Sequence, residues 1–275
     1  MPARHNQFRS NNHIRNLSEI WDQAVLNLRP PPDTIAETVV AFVPDLAGAT
    51  KEINQLGLEL LLPTSAITIE FVSDNAGDNQ FILFEFINDT FDYITTLIQL
   101  NGLTPVVVPN VFRALLARNA SGFTVDDVEL PNNGPIVGIV HAYKQGATPG
   151  LDGNTFLVIT PTIDIGGGIN ALIVGQRSYG SQSSIPKGFS AYVKSLQPWV
   201  GKNDDVKVAI QAKPRNGEWA TEIPIGGINQ VDTANAMWRY VPEGFDIRIV
   251  GQEAQGTGTV PVMIEYQLLL IKHGI

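Results

Sequence analysis

The sequence predicts an all-β chain: two consecutive antiparallel β-sandwich units of jelly-roll type, preceded by an N-terminal arm and one amphipathic helix. Three observations lead there. From Ala66 onward apolar residues recur with a period of two, the β-rich runs are separated by Asn, Asp and Gly, and a helical period is found in only one early stretch. Short strands with regular turn signals fit sandwiches and not a βαβ pattern. At 275 residues the chain can bury one large core or two smaller ones without a metal or disulfide staple. The expected divisions are 1–63 for arm, helix and linker, 64–165 for the first unit and 166–275 for the second.

Taken in order, residues 1–16 carry Arg4, Arg9 and Arg15 and no acid, with too little apolar content to fold alone. Such an arm needs a partner to become ordered. In LSEIWDQAVLNL, Leu17, Ile20, Trp21, Ala24, Val25 and Leu28 fall on one helical stripe, which Arg29-Pro30-Pro31-Pro32 ends. That helix either packs on its own domain or docks Trp21 into a neighbouring subunit. Arg4, Arg9, Arg15, Ile20, Trp21 and Val25 are therefore the candidate subunit-contact residues.

Beyond Ala66, ITIEFV places Ile67, Ile69 and Phe71 on one face, and FILFEFI, FDYITTLIQL and TPVVVP add further strands. Val111 to Arg118 reads equally as a short helix or a strand. GPIVGIVHAY and TFLVITPTI lead to Gly166-Gly167-Gly168, a bend or joint. In DVKVAIQAK, Val206, Val208, Ile210 and Ala212 face one way and Lys207, Gln211 and Lys213 the other. FDIRI places Phe245, Ile247 and Ile249 inward, with Asp246 and Arg248 outward. Val260 to Lys272 is apolar on both faces near its end, as expected of a strand central to a sandwich or covered by another chain.

Composition narrows the function classes. The chain has no cysteine, which excludes thiolate metal sites, thiol nucleophiles and disulfides. Charged residues make up 16%, a low share for a surface in contact only with water, and the net charge of −9 argues against nucleic-acid binding by the main body. No uncharged run reaches the ~18 residues of a membrane span, and the N-terminus lacks the apolar stretch of a secretory signal. The sequons at Asn88 and Asn119 then read as coincidence.

The candidate chemical motifs resolve into turns. Gly201-Lys202-Asn203 lacks the spacing and the following helix of a phosphate loop. Gly201 to Asp205 has the composition of a hairpin loop, and Pro214-Arg215-Asn216-Gly217 that of a turn. Gly166 to Gly168 lacks the dinucleotide fingerprint. His5, His13, His141 and His273 are scattered without metal-ligand spacing, and Asp126-Asp127 and Asp204-Asp205 lie in turn-like segments facing water. No serine sits in a nucleophile elbow. No catalytic, cofactor-binding or metal-binding residue is therefore assigned. Trp199, Trp219, Trp238 and Tyr240 serve either as core and contact residues or as a sugar-stacking surface.

From Ile185 to Ile271 a longer pattern is present: the I-P-K-G-F-S-A-Y-V opening at Ile185 to Val193, V-G-K-N at Val200 to Asn203, the strand Val206 to Ile210, N-G-E-W at Asn216 to Trp219, V-P-E-G-F-D-I-R-I at Val241 to Ile249, and the closing Gln267 to Ile271. It resembles a virion structural protein family of tailed phages, common in marine and cyanobacterial viruses. Leu97 to Val106 is similar to a T-L-N-G-x-T-P-V element of the same proteins, with Gln99 in place of Thr. The chain departs from the pattern at Trp199 and over Ile228 to Ala236, and its N-terminal helix has no counterpart. The resemblance implies a non-enzymatic virion component without cofactor, whose partners are other virion proteins and copies of itself in a homo-oligomer. Two rivals remain: a carbohydrate- or receptor-binding module of a phage fibre or tail, which needs a flat exposed tryptophan, and a hydrolase, which needs two carboxylates facing each other in a cleft.

Overall fold

A computed structural model describes residues 34–46, 51–52, 60–125, 128–165, 172–174, 176–178, 182–200, 206–215, 217–228, 239–253 and 260–273. The arm and the helical stripe lie outside these residues, and with them Arg4, Arg9, Arg15, Ile20, Trp21 and Val25. Gly166 to Gly168 also lie outside. The described residues contain no helix.

The strands are β1 (Thr34–Leu46), β2 (Lys51–Glu52), β3 (Ile67–Ser73), β4 (Phe81–Ile87), β5 (Tyr93–Gln99), β6 (Val106–Val111) and β7 (Arg113–Asn119). They continue with β8 (Thr124–Val125), β9 (Val128–Glu129), β10 (Val140–Lys144), β11 (Thr155–Ile159), β12 (Ile163–Ile165), β13 (Leu172–Val174) and β14 (Ser183–Ser184). The last are β15 (Phe189–Val200), β16 (Val206–Pro214), β17 (Ala220–Ile228), β18 (Arg239–Val241), β19 (Phe245–Glu253) and β20 (Val260–Lys272). Arg113 to Asn119, ambiguous in sequence, is a strand because it completes the ladder of β4.

In the first unit the sheets β11-β10-β3-β6 and β5-β4-β7 share one core. Ile69 and Phe71 from one sheet meet Ile82, Phe84 and Phe86 from the other, and the Phe71 and Phe84 rings pack edge to face at 4.9 Å. The alternation predicted for ITIEFV is realised, with Ile69 and Phe71 fully buried. In the second unit the sheets β1-β20-β15-β18 and β14-β19-β16-β17 share a core of Val206, Val208, Ile210, Ile247, Ile249, Leu268 and their neighbours. β20 is central to its sheet, flanked by β1 and β15, which accounts for its apolar run.

Three features differ from the sequence reading. First, residues 34–52, grouped there with the arm and linker, supply β1 to β20 and β2 to β19, so the first unit is threaded between strands of the second. β1 went unread in the sequence, and its partner lies more than 200 residues further along the chain. Second, β15 and β16 belong to different sheets and do not pair with each other, while Gly201 to Asp205, read as a hairpin loop, lies outside the described residues. The turn at Pro214 to Gly217 does close a hairpin, with Gly217 N donating to Pro214 O at 2.9 Å. Third, Asp246 is buried although its strand position faces away from the core.

Four of the prolines inside strands occupy places where no ladder donor is required. Pro109 and Pro224 lie on the edge strands β6 and β17, and Pro44 in the irregular stretch of β1 between Val43 and Leu46. Pro198 lies past the three residues of β15 that pair with β18. Leu268→Ala, at a site with no solvent exposure, is expected to lower stability by about 2–5 kcal/mol in equilibrium denaturation. Val107→Ala on the open side of β6 should stay within about 0.5 kcal/mol.

Candidate functional site

The densest set of buried polar contacts lies where the two units meet. Arg113 opens β7 opposite Ile87, on the face turned away from the first core. Its guanidinium donates from Nε to Asp246 Oδ1 at 2.9 Å and from Nη2 to Oδ2 at 3.0 Å, a bidentate pair between side chains that are 3% and 5% exposed. Nη1 donates to the carbonyls of Pro63 and Phe112. The Ser184 hydroxyl completes the set by donating to Asp246 Oδ1. Four segments distant in sequence are thereby joined through one ion pair.

Around this pair the seam is aromatic and cationic. Arg215 lies 3.8 Å over the Phe91 ring and 4.8 Å from the Phe112 ring, and Arg113 stacks on Phe112 at 3.8 Å. Phe91 takes a left-handed φ of 68° and accepts a backbone bond from Lys187 N. Lys213 lies beside Asp246 on the same face. Burial lowers its pKa, against the pull of Asp246. Lys213 and Arg248 both lie over Trp219, at 4.8 and 4.2 Å, and the tryptophan is half-buried. That is cationic stacking within the chain, and not the flat, open ring that sugar stacking requires. Trp199 lies on β15 opposite Met263, Tyr240 on β18 is half exposed, and Trp238 lies outside the described residues.

The far end of the first unit is held by a second buried carboxylate. Asp78 accepts from Ser73 Oγ at 2.6 Å, Val137 N at 3.0 Å and Gly138 N at 2.9 Å, while its own carbonyl accepts from Gly102 N. Gly102 needs its φ of +55° here, and a Cβ there would lie 2.5 Å from Ala76 O. Gln176 Oε1 accepts from Asn119 Nδ2 and Ile136 N, bracing the 131–139 loop.

These carboxylates hold loops and layers together. Ser73 does not work with His141, because Val140 is the residue opposite Ser73 and His141 therefore points to the other face of the sheet. Among the described residues no group of three or more His, Asp or Glu side chains is placed to hold a metal ion, and no helix is long and apolar enough to cross a membrane. The sequence reading missed Arg113 and Asp246. The only signal was a lone cation within VFRALLA, whose partner is 133 residues away.

Arg113→Ala is expected to cost about 3–5 kcal/mol in chemical denaturation, because it strands a buried carboxylate. The double variant Arg113→Met with Asp246→Leu should recover most of that loss. His141 gives a pH test. Burial lowers its pKa below the ordinary 6.5, with Asp74 opposing, and its Nδ1 has no hydrogen-bond partner among the described residues. The unfolded chain then takes up the proton first, so stability declines as pH falls through 6.5. Melting curves between pH 7.5 and 5.5 should show that decline, and His141→Gln should flatten it.

No family model matches the sequence, and no curated protein matches it. Among solved structures, the chain overlays on the Arthrobacter globiformis T6 isomalto-dextranase complexed with panose at a TM-score of 0.23 and 10% identity, covering 86% of this chain and 35% of that one. The chain thus spans about a third of that protein's length. The infectious bursal disease virus VP2 subviral particle gives 0.23 and 9% identity, over 88% of this chain and 72% of the other. The Gt strain of the same virus gives 0.19 and 9%, over 88% and 78%. Scores this low establish neither a common fold nor a common function.

Proposed function

We propose that this chain is a non-enzymatic structural component of a tailed-phage virion, assembled from copies of itself and other virion proteins. Its two units act as jelly-roll-like sandwiches that present sheet edges and loop ends to neighbours, and its basic arm and amphipathic helix fasten onto the next subunit. The observation that carries this reading is how the buried charges are used: Arg113, Asp246 and Asp78 each make three or more hydrogen bonds to partners within the chain. Charged groups serving as internal struts suit a body built for rigidity. The low charged fraction of 16% and the edge strands β5, β6 and β17 suit a surface that neighbours cover. The sequence pattern over Ile185 to Ile271 supplies the virus type.

Deletion of residues 1–29 leaves every described strand in place, since β1 begins at Thr34. The shortened chain is expected to melt within a few degrees of the full chain, yet to sediment as a single copy and to be missing from purified particles. Normal incorporation of the shortened chain would remove the arm from the reading. A full-length chain that stays monomeric at every concentration would remove self-assembly.

A further inference from the structure

The reading above gives the arm a role but no landing place, and the following inference rests on that reading. At the end of the first unit away from the seam, three loops leave large apolar side chains in solvent. Phe123 is 64% exposed, Val137 61% and Leu103 60%, the three most exposed large hydrophobic residues among those described. The loops adjoin one another through Asp78, which binds the backbone of Val137 and Gly102, and through Asn133, whose Nδ2 donates to Asn79 O. Gly122 N donates to Pro131 O, which ties the Phe123 turn to the same group. β4 runs from this end, at Phe81, to the seam, at Ile87, a distance of about 20 Å.

Apolar residues on loops this well braced do not collapse onto the body, and together they make a preformed contact surface. Its electrostatics select the occupant. Residues 60–165 carry eleven acidic and three basic side chains, a formal −8 of the chain's −9, and one of the three cations, Arg113, is buried at the seam. Segments 73–80, 100–105 and 120–139 hold no Lys or Arg, and Asp74 and Glu129 are exposed there. The complementary ligand is cationic and carries apolar side chains between its charges. The arm fits that description: Arg4, Phe8, Arg9, Ile14 and Arg15 alternate within 18 residues that contain no acid.

We infer that the distal end of the first unit, around Phe123, Val137 and Asp74, is the docking site for the N-terminal arm of a second copy. The contact is heterologous, arm to tip, so it propagates from copy to copy and closes as a ring when the rotation allows. Charge steers the encounter, and Phe8 and Ile14 against the exposed loop residues hold it.

Three full-length variants test this by sedimentation velocity: an arm variant (Arg4→Glu, Arg9→Glu, Arg15→Glu), a tip variant (Asp74→Lys, Glu129→Lys) and an apolar variant (Phe123→Ser, Val137→Ser). All changes within the first unit are at exposed positions, and unchanged melting temperatures establish that each variant folds. Each alone is expected to lose the assembled species. Mixing arm and tip variants is expected to restore it, because each reversed surface then meets its complement. If only the arm variant dissociates, the arm docks elsewhere and this inference fails while the proposed function stands. Dissociation of the tip and apolar variants alone would give the tip a different occupant, which also overturns it. A wild-type chain that never assembles would bring down both.

Discussion

The Arg113–Asp246 pair is the constraint on which the arrangement of the two units depends. Removing a guanidinium and a carboxylate from water costs several kcal/mol each, and the pair recovers that only when its hydrogen-bonding groups are satisfied in the right plane. Here that requires the Pro63 carbonyl, the start of β7, Ser184 and the start of β19 to arrive together. A small rotation of one unit against the other would leave charge buried and unpaired. Arg215, stacked over Phe91 and Phe112, extends the same contact outward with less burial. The polar seam thus sets orientation, while the two apolar cores supply most of the stability.

Chain topology adds to that restraint. The strand from the N-terminal region, β1, pairs along its length with the last strand, β20, and β2 joins β19, so the second unit is complete only when both ends of the chain have met. Most pairings in that unit are far apart in sequence, which favours cooperative folding over independent folding of segments. The first unit interrupts the second between β2 and β14, and residues 176–178 run back along β7 and β11. The two bodies therefore share more than a single linker. Edge strands carrying Pro109 and Pro224 present fewer donors to a stray strand, a usual protection against uncontrolled pairing.

Charge is distributed unevenly along the sequence. Nearly all of the net negative charge falls within 60–165, whereas the second unit is close to neutral and the first 18 residues are cationic. In the proposed docking, this distribution along the sequence favours arm-to-tip contact over contact between like-charged regions. Its exposed apolar loops lie at the acidic end, where they are kept from collapse by Asp78 and Gly102.

The sequence by itself determined what depends on neighbours along the chain. Period-two alternation placed Ile69, Phe71, Val206, Val208, Ile210, Ile247 and Ile249 on buried faces, turn chemistry placed the Pro214 to Gly217 hairpin, and the doubly apolar Leu268 to Ile271 marked a central strand. These follow from backbone pleat and residue preference, which are local. Tertiary structure alone decided which strands pair, that β15 and β16 lie in different sheets, and that Asp246, read as facing outward, lies buried against Arg113. A strand's alternation distinguishes its two faces but does not say what covers the second one. That depends on a segment 133 residues away, for which local pattern has no term.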